Sequence, residues 1–359
     1  MQLVAPFETS MGVETHEEHI IVRVDGEGVT GWGESVAEGT PFYSYETVQT
    51  AWHILKDFLI PLLVGSNISS VDEWIKSSAH VRGHNMAKAG LESALWDLFA
   101  NSRGVSLSSM LGGVRTAVNV GVSIGLQSTP GQLVKKAEEY LREGYSRIKI
   151  KIAPGRDIEL VRTMRRSFPD IMLQVDANSA YTLSDADLFR SMDDDRLALI
   201  EQPLGYNDIY EHSKLQKVLR TPLCLDESIH SLADTQAAIE LNSCKIINIK
   251  PGRVGGFSES IAIHNYCAAN NIPVWHGGML ESGIGRAGNV ALASLPNFIL
   301  PGDISASSRY YLHDIVDPPF TVNPDGTMEV PQGPGIGVEV MMDRLSDVTV
   351  RAEQFVPSH

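Results

Sequence analysis

Between Arg147 and Gly256 one pattern recurs five times, an apolar run that ends in a charged residue followed by turn residues. The runs are RIKIKIAPGRD, LQVDAN, LIEQPL, CLDESI and IINIKPGRVGG. Their charged ends, Lys151, Asp176, Glu201, Asp226 and Lys250, lie 25, 25, 25 and 24 residues apart. One strand plus one helix fills such a period, so the chain repeats a βα unit with a charge at the same point of each unit. In a parallel barrel those points share one rim around one cavity. Side chains two apart on a strand face the same way, so Lys149 and Lys151 are expected to point inward and Ile148, Ile150 and Ile152 outward to the helices. Asn248 and Lys250 make a second inward pair. Charge inside a barrel costs free energy unless it is paired or holds a metal, so the rim reads as a site. A ring of structural bridges between Lys and Asp or Glu is the plain alternative.

The 359 residues suffice for a barrel of about 250 residues plus a smaller domain. The net charge of −15, from 29 basic against 44 acidic residues, argues against a nucleic-acid or anionic-membrane partner. Cys224, Cys244 and Cys267 show neither metal-ligand spacing nor even pairing and read as reduced, buried thiols. No opening stretch reads as a secretory signal and no apolar run has the length of a membrane span. The expectation is a cytoplasmic homo-oligomer with no nucleic-acid or membrane partner.

In chain order, EEHIIVRV and GVTGWGE read as a hairpin turning near Asp25, Gly26 and Gly28. Helical patterns follow over 44–63 and 86–101, the second with Leu91, Leu95 and Leu98 at helical spacing. This third is α+β, without the barrel rhythm. Gly and small residues over 111–116 mark a boundary, giving an N-terminal capping domain (1–114), a (β/α) barrel (115–305) and a C-terminal segment (306–359) that returns to the cap. The expected class is thus α/β, a modified TIM barrel with an α+β cap. Strand ends are expected near Ser123, Lys151, Asp176, Glu201, Asp226, Lys250, His276 and Asp303, eight in all, with a helix over 131–143 that stops at Gly144. In the tail, VEVMM and VTVRAEQF look like strands.

The motifs KIK, VDAN, IEQP, LDES, NIKPGRVGG and GGMLESGIGRA, with PFETS and GWGE upstream, occur in an order and spacing that resembles the enolase superfamily, in its muconate-lactonizing-enzyme subgroup. Within it the chain is most similar to the branch of o-succinylbenzoate synthases and N-succinylamino acid racemases. A Lys or His base working with Mg²⁺ is the known pattern of that superfamily. The resemblance implies Asp176, Glu201 and Asp226 as ligands of Mg²⁺, with Mn²⁺ as substitute, and hard carboxylate donors suit such ions. It implies Lys151 as the base on one face of the substrate, assisted by the neighbouring cation Lys149. Lys250, on the opposite wall, either stabilises the enediolate or acts as a second acid/base. Ser123 and Asn178 support the site by hydrogen bonding.

The implied reaction is loss of a proton alpha to a carboxylate, leading to N-acyl amino acid racemisation or to o-succinylbenzoate for menaquinone synthesis. Dipeptide epimerisation and muconate-type cycloisomerisation are alternatives within the superfamily; a Schiff-base aldolase and a non-catalytic barrel are alternatives outside it. The loop TSMG around Met11 reads as a lid, with Phe42 and Tyr43 beside it, and Met11 stands where the family usually has an aromatic. Only MQLV remains of a strand usual before PF, so the chain reads as starting at an internal Met with a loosened cap. Leu280 and Tyr310 fall on the acyl side of the implied pocket, and Arg253 matches racemase-capable members as an exposed arginine. Gly283, Gly285 and Gly288 fit GxGxxG but lack the βαβ setting of a dinucleotide site. They read as a glycine-rich helix start, which in a functional variant points its N-terminus at a substrate carboxylate. His276 lacks an Asp partner on the preceding strand and reads as a bystander.

Overall fold

The computed structural model describes residues 1–357. Strands β1 (Gln2–Glu8) and β2 (Val13–His16) pair antiparallel, as do β3 (Ile20–Gly26) and β4 (Val29–Ser35). The second pair is the expected hairpin, and it turns through Glu27 and Gly28 at φ 49° and 82°, the backbone that a two-residue hairpin loop needs. In the first pair, QLV continues through PFE as one strand of seven residues.

Helix α1 (Val48–Ile54), a π-helical turn (Leu55–Leu59) and α2 (Ile60–Leu63) occupy the expected 44–63 segment. Helix α3 (Val71–Ser78) escaped the sequence pattern, since its eight residues bury only Val71, Trp74 and Ser78. Helix α4 (Asn85–Ser102) packs across β4, and the GWG motif is what allows it. A Cβ on Gly31 would lie 2.1 Å from the Ala94 carbonyl oxygen, and one on Gly33 2.2 Å from that of Gly90. The cap core gathers around this crossing, with Val22, Leu59, Trp74, Leu91 and Leu95 among its members.

After α5 (Leu107–Leu111) and β5 (Ala117–Asn119) come seven strands. They are β6 (Val122–Ile124), β7 (Arg147–Lys151), β8 (Met172–Asp176), β9 (Leu199–Glu201), β10 (Leu223–Leu225), β11 (Ile246–Ile249) and β12 (Val274–His276), joined in sequence order into one parallel sheet. Helices α6 (Pro130–Arg142), α7 (Ile158–Ser167), α8 (Ala186–Ser191), α9 (Tyr210–Val218) and α10 (Leu232–Glu240) alternate with them. The short α11 (Pro251–Val254) and α12 (Phe257–Ala269) follow β11, and α13 (Gly283–Ala293) follows β12. Helix α6 ends where Gly144 adopts φ 105°, the expected stop. Ile148, Ile150 and Ile152 join the main core beneath Leu133, Val161 and Met164, as strand alternation requires.

Eight strands were expected, and among the described residues seven form. The eighth position is held by residues 298–303 through two isolated bridges, Val274 to Phe298 and Val120 to Gly302. Pro301 has no N–H to donate and breaks the ladder. The segment still closes the ring: Gly121 N donates to Gly302 O at 2.7 Å and Asp303 N to His276 O at 2.7 Å.

In the tail, β13 (Val316–Asp317) pairs with β15 (Glu339–Val340), and β14 (Thr327–Glu329) pairs with β5. VEVMM holds only the two residues of β15, and VTVRAEQF is not a strand. Helix α14 (Met342–Val348) leads into it, and Val350 and Val356 are 92% and 66% exposed; β-branched alternation forms a strand only against a partner surface. The tail touches the cap, with Ile336 N on Asp97 Oδ1 at 2.7 Å and Lys56 paired to Glu353 at 2.7 Å. Among the described residues no helix is long and apolar enough to cross a membrane.

Gly31→Ala should lower the stability by about 1–3 kcal/mol or more, because the added methyl must push α4 away. Gly39, which has open space around its Cβ position, serves as control, and Gly39→Ala should stay within about 0.5 kcal/mol of the parent. Urea unfolding of both variants checks this, and equal midpoints would remove the close approach as the reason for the motif.

Candidate active site

Strand order decides which charges meet. β7 ends in Lys151, β8 in Asp176 and β9 in Glu201, while Asp226 follows β10 and Lys250 follows β11. The register sets Lys151 beside Asp176 and Asp176 beside Glu201. Glu201 pairs with Cys224, so Asp226 stands two residues further along its own chain. Three carboxylates thus occupy adjacent strand ends between two lysines, and all five side chains are buried.

Each carboxylate is matched to cations. Lys151 Nζ lies 2.7 Å from Asp176 Oδ2 and 2.6 Å from Asn178 Oδ1. Lys149 Nζ is 2.9 Å from Glu201 Oε2, 3.1 Å from Asp176 Oδ2 and 3.1 Å from Asp303 Oδ2. Lys250 Nζ donates to Asp226 Oδ2 at 2.8 Å and to the Tyr43 hydroxyl at 2.9 Å. Asn248 Nδ2 donates to Glu201 Oε1 at 2.7 Å.

Burial would raise the Asp176 carboxyl, but Lys151 and Lys149 outweigh it and hold the group well below the usual carboxylate range. Glu201 goes the other way, raised by burial and by Asp176. Glu227 is pushed up to about 7 by burial and by Asp176; Asn178 Nδ2 donates to its Oε1 at 3.0 Å, while its Oε2 has no partner. Burial acts to lower Lys149 and Lys250, yet Glu201 and Asp303 on the first, and Tyr43 and Glu201 on the second, raise both above an ordinary lysine. Lys149, expected as the cation that keeps its neighbour Lys151 partly neutral, is itself clamped by three carboxylates and serves as their counter-ion.

Among the described residues no group of three or more His, Cys, Asp or Glu side chains stands ready to hold a metal, because each acid is turned onto Lys or Arg. The donor set nevertheless fits a hard divalent cation, with three carboxylates on neighbouring strand ends. Around them Asp303 Oδ1, Asn248 Oδ1 and Glu227 Oε2 are buried without a hydrogen-bond partner, and orphaned acceptors of this kind suit a missing cation or water.

The remaining candidates divide. Ser123 sits on β6 beside Lys149 with its hydroxyl unpartnered. Asn178, at φ 42°, bridges Lys151 and Glu227. Ser10 Oγ lies 3.4 Å from the carbonyls of Ala177 and Asn178, so the TSMG loop lies over the end of β8, and Met11 packs on the cap core. Leu280, at φ 58°, packs with Phe7, Tyr310 and Tyr311. Arg253 overturns the expectation of an exposed arginine. It is buried, paired to Asp226, and donates to the carbonyls of Ile229 and Asn248. His276 faces away from the cavity, since its neighbour Trp275 is the inward residue, its ring 4.8 Å from Lys149 Nζ. Burial and Lys250 push His276 down to about 3, which suits a bystander.

Four residues went unrecognised. Asp303 was counted only as a strand end, and Glu227 was passed over beside Asp226. Tyr43 was placed near the lid but not on Lys250. Glu34 of GWGE occupies the N-terminus of α13, accepting from Ser282 N at 3.0 Å, Ser282 Oγ at 2.6 Å and Gly285 N at 2.8 Å. Asp314 takes Gly283 N at 2.8 Å. That helix start therefore binds the protein's own carboxylates and has no N–H group left for a substrate's. His19 Nδ1 completes the contact at 2.6 Å from Glu34 Oε1.

Residues 1–112 match the family model of the mandelate racemase / muconate lactonizing enzyme N-terminal domain, and residues 132–344 match the enolase C-terminal domain-like model. The chain belongs to the enolase superfamily. Like other members, this enolase-superfamily chain joins a cap to a barrel. It is 50% identical to an o-succinylbenzoate synthase of Geobacillus stearothermophilus over 99% of this chain and 95% of that protein. To an N-succinylamino acid racemase of an Amycolatopsis species it is 47% identical, over 97% of this chain and 95% of the other. A crystal structure of an enolase-superfamily member from Listeria innocua superimposes with a TM-score of 0.93 at 44% identity, covering 97% of this chain and 94% of that one.

The bonds of Glu34 with Ser282 and Gly285 join cap to barrel, and His19 pairs with the same carboxylate from within the cap. Burial would raise Glu34, but the hydrogen bond and charge of His19 and the bonds from Ser282 hold it below its ordinary value. A depressed acid contributes stability above its unfolded pKa and loses it as pH falls through the folded pKa. Glu34→Gln should therefore cost about 3–5 kcal/mol near neutral pH, as for breaking a buried pair, and the difference from the parent should shrink toward acid pH. Denaturant midpoints across pH check this; a penalty that grows on acidification would refute it.

Proposed function

We propose that this enolase-superfamily enzyme removes the proton next to a carboxylate in a small acylated substrate, racemising N-succinyl or related N-acyl amino acids and also forming o-succinylbenzoate by dehydration. The strand order is the observation that carries this reading: three carboxylate-bearing strands separate the two lysine-bearing ones. The relatedness to synthases and racemases over nearly the full chain supports it.

Asp176, Glu201 and Asp226 would hold Mg²⁺ or Mn²⁺, which supplies positive charge for the substrate carboxylate and for the charge that develops there on deprotonation. That charge is the main barrier, because a proton alpha to a carboxylate is very weakly acidic. Lys151, aimed by Asp176 and Asn178, takes the proton on one face. In racemisation Lys250 returns a proton to the opposite face, and the reverse reaction exchanges the two roles. In dehydration Lys250 stays protonated and stabilises the enediolate, while Lys151 passes the proton it has taken to the departing hydroxyl as water. Lys149 keeps Glu201 and Asp176 from repelling each other. The lid over β8 and the wall of Leu280 and Tyr310 would receive the acyl portion, and neither Ser123 nor Arg253 is needed for the proton steps.

The test is α-proton exchange in deuterated water with each enantiomer of N-succinyl-phenylalanine, beside assay of the dehydration substrate. Chelation should stop both reactions and Mg²⁺ restore them, and Glu201→Gln should abolish them. Lys151→Ala and Lys250→Ala should each end racemisation in both directions, while exchange survives from the enantiomer whose proton faces the remaining lysine. Full turnover in excess chelator, or undiminished racemisation in either lysine variant, would sink the proposal.

A further inference from the structure

We infer that Tyr43, a cap residue, is the positioning residue of Lys250, so that proton transfer on one face of the substrate depends on how the cap is seated, while the lysine of the other face is held by barrel side chains only. The inference rests on the two-lysine reading above. Lys151 is held by Asp176 and Asn178, both at the end of β8. Lys250 is held differently. Its ammonium donates to Asp226 of the barrel and to the Tyr43 hydroxyl, which in turn donates to Asp226 Oδ1 at 3.1 Å. An ammonium has three N–H donors. With two directed at Asp226 and Tyr43, the third is left for the cavity, and its direction follows from the other two.

The hydroxyl is fixed because the ring and its loop are fixed. Tyr43 is buried in the cap core, and Lys250 Nζ lies 4.3 Å from its ring centroid. Three residues on, Glu46 accepts from Met86 N at 2.9 Å and Ala87 N at 3.2 Å, tying the loop to the start of α4. Val48 N donates to Glu38 O at 2.9 Å and closes the loop at its base. The cap also seats directly on the turn that follows Lys250. Asn85 Nδ2 donates to Arg253 O at 2.8 Å, and a Cβ on Gly252 would lie 2.4 Å from Val36. A four-carbon lysine stem has many rotamers, and Asp226, which Arg253 also occupies, cannot select one alone.

Tyr43→Phe keeps the ring and removes only the hydroxyl. Exchange from the enantiomer facing Lys151 should stay within about twofold of the parent, while exchange from the other enantiomer and racemisation fall roughly 10- to 100-fold in kcat with little change in KM. In the Lys250→Ala background, Tyr43→Phe should leave the residual exchange unchanged, since its effect runs through the missing lysine. Urea unfolding that remains cooperative shows that the fold is retained. Equal losses on both faces, a rise in KM that accounts for the whole effect, or a further loss in the Lys250→Ala background would each overturn the inference. Absence of exchange from either enantiomer in the parent would overturn the two-lysine reading instead, and this inference with it.

Discussion

The structure depends on a set of opposite charges that neither member could keep alone inside the barrel. Asp176, Glu201 and Asp226 stand on adjacent strand ends, and three carboxylates that close cannot all stay ionised without cations between them. Lys149 supplies the central one, touching three acids at 2.9 to 3.1 Å. Lys151, Lys250 and Arg253 supply the flanks. The arrangement is nearly self-neutralising, which is why the barrel can form around it, and it is also poised, because a divalent cation could take over the duty of several ammonium groups. Free of that duty, a lysine would become available for the proton transfer proposed above. In that proposal, fold stability and chemistry draw on the same few side chains.

The cap completes this set. Tyr43 reaches the rim from above, and Glu34 fills the helix start at the seventh barrel unit, so both cap contacts end on barrel loops that border the cavity. The glycines of GWG let β4 lie flat against α4, and that flatness sets where Glu34 emerges. A residue type usually explained by turn geometry here governs the distance between a strand and a helix of the cap.

Much of this was legible in the residues. A period of about 25 residues with charges in phase requires repeated βα units, and alternation alone separates Lys149 and Lys151 from their isoleucine neighbours. What stayed hidden was pairing across long sequence distances. Nothing local in PFYSYE says that Tyr43 meets Lys250 some 207 residues later, and nothing in KPGR says whether Arg253 turns to solvent or beneath Asp226. The eighth strand was misjudged because the period continued through it while Pro301 removed the donor that a ladder needs. VTVRAEQF misled in the opposite sense, having the alternation of a strand but no neighbouring edge to complete it.

That eighth segment gives the barrel a seam. Between β12 and β6 the wall is joined by isolated contacts at Val120, Gly121, Gly302 and Asp303 rather than by a continuous ladder. Local opening concentrates where backbone bonds are few, so amide hydrogens at these positions are expected to exchange with solvent ahead of those in β8 and β9. Asp303 rides on the seam and holds Lys149, so the same breathing that exposes those amides also loosens one of the three carboxylates around the central ammonium. The ring is thus expected to yield more readily beside its counter-ion than beneath the acids, an asymmetry that would tell the two sides of the cavity apart before any substrate arrives.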